Sequence, residues 1–156
     1  MPWRSVPAYR TASEEETLAL GERLAREFPT KQVVLLIGQL GAGKTTLAKG
    51  IVKGLGAASP EEVSSPTFTL IHEYGRDGRV FHVDLYRLEE PRELATLGLE
   101  DLFEREAVVL IEWGERFPQI LPADRTEIRI TVVEDDTREI EVRRSNLQLG
   151  LSSLYF

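Results

Sequence analysis

The stretch "GQLGAGKTT", residues 38–46, decides the fold. It matches G-x-x-x-x-G-K-[ST], a loop whose backbone wraps phosphate. Gly38, Gly41 and Gly43 let the chain bend into a nest of amides that point at phosphate oxygens. A helix opening near Lys44 adds its positive N-terminal end. Lys44 is placed to reach β- and γ-phosphates, and the Thr45 hydroxyl to take one position on Mg2+. Thr46 closes the motif.

A glycine-rich turn before a helix could match by chance, so the flanks matter. "VVLLIG", 33–38, is a short, continuously apolar, β-branched run, as in a parallel strand covered on both faces. Residues 44–55 read as a helix that Gly56 can end. A buried strand, the loop and a helix follow in the order a nucleotide site needs. The loop alone does not separate ATPase, GTPase and kinase. No N-K-x-D segment occurs, and the sole asparagine is Asn146, which argues against guanine specificity.

Working outward, "SEEETLALGERLAREF", 13–28, reads as a helix. Ser13 and Glu16 form a capping box, Leu18, Leu20, Leu24, Ala25 and Phe28 supply a roughly helical apolar stripe, and Pro29 ends it. Residues 57–65 read as loop, and 67–74 and 79–86 as strands of a hairpin around "GRDG". Residues 91–104 read as two short helical pieces broken at Gly98. "AVVLIE", 107–112, is a second continuous apolar run, and "TEIRITVVE" and "TREIEVRR" form a closing antiparallel hairpin. The tail "LGLSSLYF" is apolar enough to dock on the domain or on a partner. The expected class is α/β: a P-loop NTPase-like mixed sheet flanked by helices, with antiparallel hairpins added.

With 156 residues, the chain is expected to form one domain, 1–156, large enough to need no disulfide. It has no cysteine, which excludes disulfides and a thiol nucleophile and disfavours zinc. "MPWRSVPAYR" lacks the apolar run of a signal peptide, and no stretch approaches the roughly 18 residues of a membrane span. The expected location is the cytoplasm, with no membrane contact. A formal charge of -7 argues against tight binding to a nucleic-acid backbone by this chain alone, so an RNA-related role would go through a partner.

A phosphate loop works with an acid at the end of another strand. The candidates are Asp84 in "VFHVDLYR" and Glu112 in "VVLIEW", although strand ends are often acidic merely because they meet water. The uninterrupted "AVVLI" suits a parallel strand beside the loop strand, which would put Glu112 nearest Thr45. "RVFHVDLYR" lies in a hairpin and contains His82, so it is expected to be less central, with Asp84 approaching from the side toward a water.

At this point "GQLGAGKTT", "SSPTFTLIHEY", "HVDLYRL" and "IEWGER" together resemble the TsaE (YjeE) family in order and spacing, over about residues 11–117. That family is a bacterial P-loop ATPase required for threonylcarbamoyladenosine formation on tRNA. The resemblance implies ATP and Mg2+ as cofactors. It implies that residues 40–45 (Leu40, Gly41, Ala42, Gly43, Lys44 and Thr45) wrap the phosphates. Thr45 and Glu112 would coordinate Mg2+, with Asp84 close by and needed for hydrolysis. Thr67 would sit in a switch-like segment facing the γ-phosphate, Glu14 on the base side, and Trp113 beside the site. The implied partners are the TsaD and TsaB proteins, with tRNA reached only through that complex. The family carries aspartate where this chain has Gln39, so no carboxylate role is carried over to that position.

Blander readings stand beside these. His72 and His82 can face each other across the hairpin and are more often core or rim histidines than a metal site. Thr67 and Thr69 suit a strand, and Trp113 suits a core or interface position as well as a stacking one. Lys49 and Lys53 suit a solvated face or a partner contact. A small-molecule phosphotransferase would need an acceptor pocket and an arginine-rich lid, for which Arg87 and Arg92 are the nearby candidates. A nucleotide-responsive binding module without hydrolysis is the third reading.

Overall fold

The computed structural model describes residues 3–5, 8–64, 70–76 and 79–145. The apolar run before the phosphate loop becomes strand β3 (Gln32–Ile37), with all six residues buried. Its alternating side chains serve two cores. Val34 and Leu36 face one, and Val33, Leu35 and Ile37 face the other. A strand buried on both faces must be apolar throughout, which is why no polar alternation shows in its sequence.

β3 pairs in parallel with β6 (Val108–Glu112) on one side and with β7 (Thr126–Glu134) on the other. Beyond β6 lies β5 (Val80–Asp84), parallel to it, and then β4 (Ile71–Tyr74), antiparallel. Beyond β7 lies β8 (Thr137–Ser145), antiparallel, whose far edge is shared by β1 (Trp3–Ser5) and β2 (Tyr9–Thr11). The result is one mixed sheet, eight-stranded among the described residues.

Helices α1 (Glu14–Ala25) and α2 (Lys44–Gly54) cover one face, packing Leu20, Leu24, Leu47 and Ile51 against Val34, Leu36, Leu110 and Ile128. The other face is covered by a 3-10 segment, Pro91–Thr96, by α3 (Leu99–Phe103) and by Phe117. Gly98 separates the two helical pieces in the left-handed region, at φ 68, as the sequence suggests.

The α1 cap departs slightly from expectation. Ser13 accepts from the Glu16 amide at 3.1 Å, but the Glu16 carboxylate takes the Ala12 amide instead of the Ser13 amide. β5 is a larger departure. The hairpin with β4 forms, yet β5 is an interior strand with all five residues buried. Its His82 breaks the apolar pattern because it bonds a buried acid, not because the strand is peripheral. The tail and Thr67 lie outside the described residues. Among the described residues no helix is long and apolar enough to cross a membrane.

Candidate nucleotide-binding site

The parallel strands β3, β5 and β6 end at the same edge of the sheet, where open α/β sheets hold ligands. The turn from β3 into α2 is left-handed at Gly41 (φ 79) and at Gly43 (φ 111). A side chain at Gly43 would be strained, and Gly38 has no room for one because its Cβ would lie 2.9 Å from the Ile130 carbonyl oxygen of β7. Leu40 points outward and is 73% exposed, so the loop offers backbone there, not side chain.

A cavity of about 490 Å³ opens beside the loop. Of the predicted residues, Glu14, Leu40, Gly41, Gly43, Lys44, Thr45, Thr46, Asp84, Glu112 and Trp113 all line it. Gly38 and Ala42 do not, and both act through carbonyls. Gly38 accepts from Lys44 Nζ at 2.7 Å, and Ala42 accepts from Arg138 Nε at 2.8 Å.

Asp84 and Glu112 are direct register neighbours on β5 and β6. Asp84 thus stands beside Glu112, not off to one side as its hairpin suggests. Lys44, Asp84 and Glu112 are only 4%, 4% and 3% exposed, so their charges must be compensated within the protein. Asp84 Oδ1 accepts the Tyr86 amide at 2.9 Å. Glu112 Oε2 and His82 Nε2 share a hydrogen bond at 2.5 Å. Burial pulls the Lys44 ammonium below its ordinary pKa, against the attraction of Glu112, Glu115 and Asp84. Burial also pushes the Glu115 carboxyl up, opposed by its backbone amide and by Lys44, Arg129 and Arg116.

Trp113 ends β6 with φ 65, a left-handed conformation that turns its ring back over the loop. Lys44 Nζ lies 3.6 Å from the ring centroid, and Tyr86 packs on the same ring at 5.0 Å. The tryptophan is therefore neither plain core nor an exposed interface residue. It holds the loop lysine by a cation–π contact.

The cavity also contains Ser13, Thr17, Tyr86, Asp136 and Arg138, which sequence reasoning did not single out for a ligand. Ser13 stood out only as a helix cap. Asp136 and Arg138 come from the β7–β8 hairpin. Its turn is left-handed at Asp135 (φ 42), and a register shift between Val132 and Glu134 interrupts the ladder. Arg138 and the Ala42 it grips are 96 residues apart, so no local spacing announces the contact. Arg92, by contrast, is 84% exposed and pairs with Glu90, so it offers no lid. His72 and His82 are opposite each other in register, but His72 Nδ1 contacts the Tyr74 hydroxyl and His82 contacts Glu112.

Among the described residues no three His, Asp or Glu side chains form a ready-made metal cage. Mg2+ does not need one, since it binds through one or two carboxylates together with phosphates and water. Thr45, Asp84 and Glu112 all line the cavity, and their hydroxyl and carboxylates could supply oxygen donors of that kind.

A family model described as "Threonylcarbamoyl adenosine biosynthesis protein TsaE" matches residues 11–140. The chain belongs to the TsaE family. It is 42% identical over 134 residues to the tRNA threonylcarbamoyladenosine biosynthesis protein TsaE of Bacillus subtilis (strain 168), spanning 85% of this chain and 82% of that one. The TsaE protein of Nostoc sp. is 43% identical over 145 residues, 89% of this chain and 86% of that one. The crystal structure of Bacillus subtilis YdiB superposes with a TM-score of 0.76 at 33% identity, covering 97% of this chain and 93% of that one. The fold is the P-loop NTPase fold of that neighbour. The TsaE match runs past Glu112 into the closing hairpin, so Asp136 and Arg138 belong to the shared domain although the recognisable motifs stop near residue 117.

Proposed function

We propose that this chain is a Mg2+-dependent ATPase subunit required for threonylcarbamoyladenosine modification of tRNA. In this reading it acts on a TsaD–TsaB complex to drive turnover, and it meets tRNA only through that complex. The observation that carries the reading is the meeting of the phosphate loop, Thr45, Asp84 and Glu112 on one cavity within a TsaE-family domain.

The backbone amides of residues 40–45 cradle the phosphates. Lys44 leaves the Gly38 carbonyl and the Trp113 ring to reach the β- and γ-phosphates. The Thr45 hydroxyl and Glu112 would hold Mg2+, with Asp84 beside them. Once bound, the cation neutralises charge on the phosphate oxygens. Asp84, anchored by the Tyr86 amide, orients the attacking water. Ser13, Glu14, Thr17 and Asp136 line the nucleoside side, and Arg138 ties the hairpin to the loop through Ala42.

The test is phosphate release from Mg-ATP, measured with and without native TsaD–TsaB and with small-molecule acceptors. Slow release that rises with the partner complex is expected. Phosphate transfer to an acceptor, or turnover indifferent to a verified partner complex, would sink the reading.

A further inference from the structure

We propose that His82 is a positioning residue that aims the Glu112 carboxylate at the metal, by donating to it through Nε2. The inference rests on the reading of Glu112 as a Mg2+ ligand.

His82 is fully buried, at 0% exposure, under the α1–α2 face of the sheet. A histidine there is costly unless it is bonded, and its replacement by an aliphatic residue would suit the surrounding core better. It lies on β5 two residues before Asp84, so its side chain shares that acid's face. Its register neighbour on β6 is Leu110, one step below Glu112. The ring therefore sits beneath both acids, and Nε2 reaches up to Glu112 Oε2 at 2.5 Å. That bond fixes one oxygen and leaves Oε1 for the cavity that Glu112 lines.

The partner's chemistry fits this task. An ionised carboxylate only accepts, so Nε2 carries the proton. Nδ1 is buried and has no hydrogen-bond partner. The ring thus orients the carboxylate by holding one of its two oxygens. Hydrogen-bond partners of ligating carboxylates tune metal affinity in this way.

The experiment measures binding of a fluorescent ATP analogue to the full chain with and without Mg2+, for His82→Leu, His82→Gln and His82→Asn, with folding checked by thermal unfolding. Gln places its amide near the Nε2 position, and Asn near Nδ1. His82→Leu and His82→Asn are expected to raise the Mg2+ concentration needed for tight binding about 10- to 100-fold, with Mg2+-free binding unchanged. His82→Gln should stay within a few fold of the native chain. Any other ordering, or equal losses with and without Mg2+, overturns the assignment. Glu112→Gln separates the two levels. If it leaves the Mg2+ dependence unchanged, the ligand reading itself fails. If it shifts the dependence while His82→Leu does not, only the positioning role fails. Should the core variants not fold, ¹⁵N NMR of the native imidazole decides, since a ring protonated only at Nδ1 cannot donate to Glu112.

Discussion

Gly21→Ala would normally stabilise a helix, and here it should do the opposite. Gly21 lies in the middle of α1, where alanine gains about 1 kcal/mol in helix propensity. A Cβ at this position would meet the Leu47 carbonyl oxygen at 2.6 Å, the Ile51 nitrogen at 3.0 Å and the Gly50 Cα at 3.1 Å. Optimal contacts for carbon lie at about 3.5–4.0 Å, so α1 and α2 would have to part by up to about 1 Å. The obstructing atoms are helix backbone and cannot swing aside like a flexible side chain. Overpacking costs about 1–3 kcal/mol, and rigid obstacles favour the upper end. Subtracting the propensity gain leaves a net loss of about 2 kcal/mol. For a chain of this size that is a Tm drop of about 4–8 °C. Urea unfolding followed by circular dichroism measures it directly. The same wedge should weaken nucleotide binding, because α1 begins at Ser13 and Glu14 and α2 begins at the loop, both on the cavity. A Gly21→Ala chain about 1 kcal/mol more stable than the native one would mean that propensity, not the close approach of α1 and α2, decides.

Three further outcomes follow from the site. Binding of Mg-ATP should change tryptophan emission as Lys44 leaves the ring; a Trp3→Phe chain should keep the change and a Trp113→Phe chain should lose it. Arg138→Ala removes a charge-assisted bond worth about 1.5–3 kcal/mol between hairpin and loop, and calorimetry should find ATP binding weakened by about tenfold or more, equally with and without Mg2+. Glu115 has its pKa raised by burial, so the folded state holds this proton more tightly than the unfolded state. The ionised carboxylate therefore costs stability above its folded pKa, and that cost fades as pH falls through it. Denaturation across pH should accordingly find Glu115→Gln more stable than the native chain at neutral pH, with the gap closing in acid.

The local features were legible in order along the chain. The apolar run before Gly38, the glycines of the loop, the break at Gly98 and the closing hairpin each became the element their sequence suggests. Hydrophobic period and turn chemistry are properties of neighbouring residues, so a single chain carries them openly. The same holds for the glycine loop, where spacing alone announces the turn into the helix.

Contacts across the sheet were not legible. Nothing near His82 in sequence announces Glu112, 30 residues away, and its presence made an interior strand look peripheral. Trp113 was ambiguous until the left-handed turn at the end of β6 laid its ring over Lys44. Arg138 and Asp136 reach the cavity only because β7 pairs with β3 and its hairpin folds back over the loop. The class of fold, the glycine loop and the two acids on the cavity were readable from the sequence alone. Strand order and register decided which groups face those acids, because the pairing of distant strands is set by burial of both sheet faces and leaves no trace in local spacing.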